Sequence, residues 1–355
     1  MTGKGRRIMA RALGCAVLAL SVAGCDVGPE YRFPSFPFAS SYAAKASGTP
    51  VYLQNDAWWE RFGDPVLNAL IDEGLEGNLD LAVARERVIE AQALIRTIPS
   101  EVAVTGTAQA GTGGGDTIAD GRQAEATFGM SWLFDPYGGR RARINAATGR
   151  AEAVQADLDA ARLLLLSNIA TSYIDLRFYE RSLQLRQQEL VSRNKTLDII
   201  RELQIGGAGT RLDAVRAEAL VSQTRALIPE VRTAAQVERH RLAVLLGQKP
   251  GTKIDALDGG SRGQPLATMP GDIGIPADLL RNRPDLRISE RLYYASVADI
   301  GSARAELYPA LSLSGELSLS SIAGVSGMEY FFGPSIRLPA LPDGDRQAEV
   351  EVRES

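Results

Sequence analysis

Residues 124–134 read AEATFGMSWLF, and apolar and polar side chains alternate along this stretch. The apolar set consists of Ala124, Ala126, Phe128, Met130, Trp132 and Phe134, and the polar or small set of Glu125, Thr127, Gly129 and Ser131. Successive side chains of a β-strand point to opposite faces, so the alternation predicts a strand with one apolar face and one polar face.

Three further stretches alternate in the same way, at 102–110, 311–320 and 329–338. A half-buried sheet of a soluble protein would give this pattern as well. Strands of about ten residues and aromatic residues suited to a membrane interface favour a membrane β-barrel. Those aromatic residues are Trp132, Tyr137, Tyr330 and Phe331. Because even the smallest barrels need about eight strands, several chains are predicted to contribute to one barrel.

The sequence repeats itself once around these strands. NLDLAVARERVIEAQA (78–93) has a counterpart in RPDLRISERLYYASVA (283–298), and DPYGGR (135–140) has one in LPDGDR (341–346). In both copies a helical pattern precedes a pair of alternating segments. The repeat predicts two units, each built from a helix, a β-hairpin and a following helical hairpin.

A long helical pattern separates the two copies. No proline occurs from 140 to 205, apolar residues advance by three and four, and leucines then follow at sevens from Leu176 to Leu197. At 1.5 Å per residue such a helix reaches roughly 100 Å. The glycines of IGGAGTRLD (205–213) permit a reversal, Thr210 is suited to cap the return helix, and Pro229 should bend it. We expect a long antiparallel coiled-coil hairpin with a glycine-rich tip.

The N-terminus has the pattern of an export signal. Four basic residues precede an apolar stretch at 12–23 that is about half as long as a membrane-spanning helix. The residues VAGC at 22–25 resemble a bacterial lipoprotein box, in which Cys25 becomes the first mature residue and carries the lipid. The alternative is an ordinary cleaved signal with Cys25 as a free thiol. Cleavage would also remove Cys15, which leaves one cysteine and no disulfide within the chain.

Five stretches resemble the TolC-like outer membrane efflux channels, in particular their NodT-type lipoprotein branch. They are GCDVGPEYR (24–32), WWERFGDPVLNALI (58–71), RLDAVRAEA (211–219), RLAVLLGQKPG (241–251) and GIPADLLRNRPDLRISER (274–291). The resemblance implies a homotrimer in which three chains pool four strands each into a 12-stranded barrel in the outer membrane lipid. It also implies a helical tube across the periplasm that meets a periplasmic adaptor and an inner-membrane efflux pump, and conducts drugs or other small molecules passively.

The resemblance also implies residue roles. The residues that match the family's adaptor-contacting hairpin tip are Gly207, Ala208, Thr210, Leu212 and Asp213. A turn glycine followed by a helix cap would look alike without any partner. No cofactor and no metal site is expected.

The expected fold class is an α+β membrane protein, divided as follows. Residues 1–24 form the signal peptide, 25–57 a lipidated extended linker, 58–100 the first-repeat helix, 101–138 the first β-hairpin, 139–247 the long periplasmic helical hairpin, 248–282 an equatorial connection, 283–308 the second-repeat helix, 309–341 the second β-hairpin, and 342–355 the start of a second helical hairpin.

Two features depart from the family pattern. Asp26 follows the lipidated cysteine, where some bacteria read aspartate as a signal for the inner membrane, but barrel strands favour the outer membrane. Only eleven residues follow Gly344, whereas the repeat predicts a second helical hairpin there. The expectation is a truncated or frameshifted copy that forms no working channel alone.

Other functions find little support. His240 is the only histidine and lies in the polar register of its helix, and no cysteine or histidine pair has metal spacing. GTGGGD (111–116) separates two strands, which predicts a turn in place of a phosphate site. A net charge of −4 gives no footprint for nucleic acid. A periplasmic adaptor or structural coiled-coil lipoprotein remains as an alternative, while an envelope-degrading enzyme lacks a candidate acid, base or nucleophile.

Overall fold

The computed structural model describes residues 26–34, 57–115, 118–257, 263–266, 282–322, 325–339 and 344–355. The regular elements are α1 (Pro65–Gly77), α2 (Leu79–Arg96), β1 (Val102–Gly115), β2 (Ile118–Phe134), α3 (Gly139–Ile205), α4 (Arg211–Leu245), α5 (Pro284–Ala305), β3 (Ala310–Ile322), β4 (Val325–Arg337) and α6 (Gly344–Glu354), with 3-10 turns at Trp58–Phe62 and Asp255–Leu257. No helix within these ranges combines the length and the apolar character needed to cross a bilayer.

The chain divides into two compact units. The first, called here the sheet unit, takes in residues 1–36, 89–154 and 288–355. The second, called here the helix unit, takes in residues 37–88 and 155–287.

The sheet unit contains one antiparallel sheet with the order β1-β2-β3-β4. The central pair joins the two repeats, since Phe128 of β2 lies opposite Leu317 of β3, and Leu317 lies opposite Tyr330 of β4. The four predicted strands are therefore confirmed. They have 13 to 17 residues and are longer than the predicted ten or so.

The turn predicted at 111–116 is wrong for Gly111–Gly115, which belong to β1. The backbone ladder continues there, with Gly111 opposite Gln123 and Thr112 opposite Arg122. Glycine weakens a strand but leaves its N–H and C=O groups free to pair, so the ladder extends through this stretch. Residues 116 and 117 lie outside the described part of the chain.

The first turns of α3 pack closely on α5 through small side chains. A Cβ atom added at Gly149 would lie 2.7 Å from Tyr294 Cδ1 and 3.0 Å from the carbonyl oxygen of Arg291. The buried residues on this side of α3 are Ala142, Ala146, Gly149 and Ala153. Only small residues permit so close an approach of two helices.

The helix unit has its core at the base of the long hairpin. Apolar side chains of α1 and the start of α2 pack there with the middle of α3 and the end of α4; fully buried members include Leu67, Leu70, Ile71, Ile169, Leu176 and Leu242. Asp64 caps α1 by accepting hydrogen bonds from Val66 N and Leu67 N, and Pro65 occupies the first turn, as the sequence predicts.

The segment expected as one first-repeat helix at 58–100 is divided in three. A 3-10 turn precedes α1, and α1 ends before Asn78. The side chain of Asn78 then caps α2, because its Oδ1 accepts a hydrogen bond from Leu81 N at 2.9 Å. Its Nδ2 donates to the carbonyl oxygen of Leu245 at 2.9 Å, which ties this break to the end of α4.

Helices α3 and α4 form the predicted antiparallel hairpin. Leu197, Ala217 and Val221 form a buried cluster between them, with Leu190 and Ile200 packed against it. Two ion pairs also cross between the helices, from Arg201 to Glu218 at 3.7 Å and from Arg239 to Glu180 at 2.6 Å. The helix bounds agree with the proline-free, heptad-like pattern of the sequence, and Pro229 lies inside α4.

Candidate functional site

The sheet carries one continuous apolar face. Residues paired across the strands point to the same side, and the apolar residues Phe128, Met130 and Trp132 of β2 all lie opposite apolar or small residues of β1 and β3. Two rows across this face are Val104–Met130–Gly315–Phe332 and Ala108–Ala126–Leu319–Met328. Side chains on this face are unusually accessible to solvent: Val104 is 75% exposed, Phe332 is 73% exposed and Tyr330 is 81% exposed. An exposed apolar face of this extent marks a surface that contacts a membrane or another protein.

The opposite face is polar and internally hydrogen-bonded. Gln109 Nε2 donates to Glu125 Oε2 at 2.8 Å across β1 and β2. Between β2 and β3, the hydroxyls of Thr127 and Ser318 lie 3.3 Å apart, and Ser318 Oγ also donates to Glu125 Oε1 at 3.4 Å. This face suits contact with water.

The tip of the α3–α4 hairpin brings the predicted tip residues together. Gly207 has φ of +75°, a conformation that favours glycine, and nothing would meet a Cβ there. Thr210 and Asp213 form a reciprocal capping box at the start of α4. Asp213 N donates to Thr210 Oγ1 at 3.1 Å, and Thr210 N donates to Asp213 Oδ2 at 3.2 Å. Leu212 is 56% exposed beside this cap, so the tip presents an apolar side chain on an ordered helix start.

The capping box also acts on the charge at the tip. Hydrogen bonds from the Thr210 side chain and backbone lower the pKa of Asp213 below its ordinary value of 3.8. A lowered folded-state pKa means that the carboxylate stabilises the fold above this ordinary value, and the contribution is lost as pH falls through the folded pKa. The tip therefore keeps its negative charge and its cap at neutral and mildly acidic pH.

Replacing Thr210 by alanine is expected to destabilise the first turn of α4 by about 1 kcal/mol, because one backbone donor loses its partner. Hydrogen exchange of the amides at 211–214 in the full chain should accelerate several-fold. Thr196→Ala is the matched control, since Thr196 Oγ1 only donates to Ser192 O inside α3. Equal exchange in both variants would contradict a structural role for the cap.

The helix unit contains a buried polar network that the sequence did not predict. Tyr173 OH donates to Asp64 Oδ2 at 2.6 Å, and Arg177 Nε donates to Tyr173 OH at 3.1 Å. Arg177 Nη1 then donates to Glu180 Oε2 at 2.9 Å. Burial and the hydrogen bond to Asp64 raise the pKa of Tyr173 to about 12, so the phenol stays protonated and keeps donating. The network links the cap of α1 to the long hairpin.

The described chain begins just after the predicted lipid attachment site. Cys25 itself lies outside the described residues, but the segment after it is bound to the sheet unit. Val27 N donates to Tyr137 O at 3.4 Å, beside the end of β2. Tyr31 packs edge-on against Tyr294 at 4.9 Å and donates from its hydroxyl to Glu290 of α5.

Comparison with known proteins identifies the family. The family model described as outer membrane efflux protein matches residues 70–248. Nodulation protein T of Rhizobium leguminosarum bv. viciae is 35% identical over 351 residues, which cover 97% of this chain and 72% of that protein. Toluene efflux pump outer membrane protein TtgF of Pseudomonas putida is 30% identical over 376 residues, which cover 95% of this chain and 75% of TtgF.

The fold agrees with these relatives. The solved structure of the outer-membrane channel OprN matches with a TM-score of 0.77 and 31% identity, over 93% of this chain and 77% of that chain. The resemblance that the sequence motifs predict is thus confirmed, and with it a channel protein of the outer membrane that extends into the periplasm. This chain belongs to the outer membrane efflux protein family.

Proposed function

We propose that three copies of this chain pool their sheets into a 12-stranded barrel that conducts small molecules passively out of the cell. One observation carries the proposal: an exposed, continuous apolar face on a sheet whose outer strands each pair on one side only within the described residues. Unpaired strand edges are not tolerated in lipid, because each free N–H and C=O group costs several kcal/mol.

A threefold-symmetric barrel would both cover the exposed apolar face with lipid and pair the free edges of β1 and β4. If β4 of one copy pairs with β1 of the next around a threefold axis, every edge is paired and the ring closes. The apolar face then meets lipid acyl chains, while the polar face with Gln109, Glu125 and Ser318 lines a wet lumen. Such a lumen supplies a path without supplying energy, so we assign the driving force to an inner-membrane pump.

We assign the adaptor contact to the hairpin tip. Its residues are Gly207, Ala208, Thr210, Leu212 and Asp213. The exposed Leu212 offers an apolar anchor, and the capping box holds the Asp213 carboxylate and the start of α4 in fixed positions. A partner with a complementary apolar notch and a basic group would recognise this arrangement.

We also assign lipid attachment to Cys25. The contact of Val27 with Tyr137 supports this assignment, because it holds the chain close to the end of β2. The contact of Tyr31 with α5 holds the following residues on the sheet unit. An acyl chain on Cys25 would then enter the membrane leaflet nearest the periplasm. The lipid anchor and the barrel would share one membrane.

The trimer proposal predicts a defined assembly. The chain, purified in detergent, should run as a trimer that dissociates on heating, and it should conduct ions after reconstitution in planar bilayers. Light scattering with correction for bound detergent measures the mass, and unheated against heated electrophoresis measures the dissociation. A monomer at every concentration tested would refute the trimer, and a trimer without conductance would refute the channel and agree with the expectation that this chain forms no working channel alone.

A further inference from the structure

A recess of about 220 Å³ lies in the sheet unit, at the end of the sheet where β2 and β4 end and β3 begins. It is bounded by the ends of β2 and β4, the start of β3, the first turn of α3 and the end of α5. Six of its lining residues give the recess its positive charge and its aromatic wall: Arg140, Arg143, Arg337, Arg346, Tyr137 and Tyr308. Among them, only Tyr137 stands out in the sequence.

The recess carries more positive than negative charge. Arg140 is held by Pro99 O and Glu101, and Arg346 Nη1 donates to the carbonyl oxygen of Glu306 at 2.8 Å. The side chains of Arg143 and Arg337 form no hydrogen bond or ion pair with any residue in the described ranges. Two acidic residues also line the recess, which leaves four guanidinium groups against the carboxylates of Asp135 and Glu306.

One of these two carboxylates is already engaged. Asp135 accepts hydrogen bonds from Gly139 N and Arg140 N, each at 2.9 Å, and so caps the start of α3. The guanidinium groups of Arg143 and Arg337 therefore line the recess without a partner among the described residues, while the Asp135 carboxylate is occupied by backbone hydrogen bonds. Guanidinium groups are well suited to bidentate contacts with phosphate oxygens.

Aromatic and apolar side chains place this charge at the membrane boundary. Tyr137 and Tyr308 stack at 4.6 Å with an interplanar angle of 21°. Phe134 and Leu338 also line the recess, and Leu338 is 71% exposed. Phe134 continues the apolar face of β2, so the recess opens where the membrane-facing surface ends. Tyrosines are enriched at such interfaces, where lipid headgroups lie.

We infer that this recess binds the phosphate of an anionic phospholipid in the periplasmic leaflet of the outer membrane. Arg143 and Arg337 contact the phosphate, the two tyrosines border the glycerol region, and the acyl chains lie along Phe134 and Leu338. This inference rests on the proposed function to the extent that the sheet must reach the bilayer. It adds a specific lipid site to the channel.

The test uses the full chain in nanodiscs of equal phosphatidylglycerol and phosphatidylcholine. After transfer to detergent, the lipids that stay bound are counted by native mass spectrometry. We expect phosphatidylglycerol to be enriched about tenfold, because each arginine near a lipid surface favours anionic lipid several-fold. The double variant Arg143→Gln, Arg337→Gln should bring this enrichment close to one.

The control is the double variant Arg162→Gln, Arg232→Gln, which removes two exposed arginines of the helix unit and should keep the enrichment. Equal retention of both lipids by the wild-type chain, or unchanged enrichment in the Arg143–Arg337 variant, would overturn the inference. Complete displacement of phosphatidylglycerol by inorganic phosphate at a concentration equal to that of the lipid would overturn it too, because the acyl chains would then add nothing to binding and the recess would be a site for free anions.

Trimer formation and conductance are measured on the same samples. If both persist while lipid enrichment is absent, only the lipid site fails. If no trimer forms from the wild-type chain, the channel proposal fails and the lipid site fails with it.

Discussion

Arginine in place of Leu317 is expected to abolish assembly of the chain in a bilayer, whereas arginine in place of its neighbour Ser318 should leave assembly intact. Leu317 lies on the apolar face of the sheet, between Phe128 and Tyr330 of the adjacent strands. A basic residue on the lipid face of a barrel strand costs about 2–4 kcal/mol near the bilayer midplane. In a homotrimer this cost is incurred three times.

The two variants differ only in which face receives the charge. Ser318 lies on the polar face, where its hydroxyl contacts Thr127 and Glu125. An arginine there would meet water and the Glu125 carboxylate. The yield of heat-modifiable trimer after refolding into lipid vesicles measures the difference. Comparable yields from Leu317→Arg and Ser318→Arg would show that the alternation does not separate lipid from water.

The sheet was predictable because its signal is local and repeated. A one-residue slip of any strand would turn its apolar residues to the wrong face, so four alternating segments indicate the strands and the face that each presents, while the exact register comes from the structure. The long hairpin was predictable for a similar reason. Its helix α3 has no proline, its leucines recur at sevens, and a glycine-rich tip with Thr210 marks the reversal.

The contacts that the sequence did not reveal depend on partners far along the chain. Gly149 and its neighbouring alanines contribute little to a hydropathy pattern, and their close packing requires α5, about 140 residues away. The hydrogen bond from Tyr173 to Asp64 likewise joins residues 109 positions apart. One local signal was present, since Arg177 continues the buried apolar positions Leu166, Ala170 and Tyr173 at steps of three and four along α3.

The recess at the end of the sheet was missed for the same reason. Arg143 belongs to α3 and Arg337 to the end of β4, and nothing in either segment indicates that they line one cavity. The tip residues differ, because the turn at Gly207 and the cap formed by Thr210 and Asp213 lie within seven residues of each other. Their predicted role in binding an adaptor depends on the partner and stays a prediction.

Removal of the Arg177 side chain should destabilise the helix unit far more than removal of a similar arginine on the same helix. Arg177 is 2% exposed, pairs with Glu180 at i,i+3 and contacts the Tyr173 ring at 5.0 Å. Its hydrogen bonds with Tyr173 and Glu180 outweigh the effect of burial and raise its pKa above the ordinary value, so the group remains charged. Loss of one partner of a buried pair costs about 3–5 kcal/mol when the other charge has no second partner, so the remaining pair between Arg239 and Glu180 places Arg177 near the lower end of this range.

Arg186 offers the matched comparison, because it pairs with Glu189 at the same i,i+3 spacing on α3 but is 43% exposed. An exposed pair contributes about 1 kcal/mol or less. Arg177→Met and Arg186→Met should therefore differ several-fold in the shift of the guanidinium unfolding midpoint, followed by circular dichroism of the detergent-solubilised chain. After Arg177→Met, Glu180 keeps only its ion pair with the half-exposed Arg239. Tyr173 still donates to Asp64, but its hydroxyl no longer accepts a hydrogen bond from Arg177. Equal shifts would mean that water reaches the network in solution, and that the cap of α1 holds the base of the hairpin without help from Arg177.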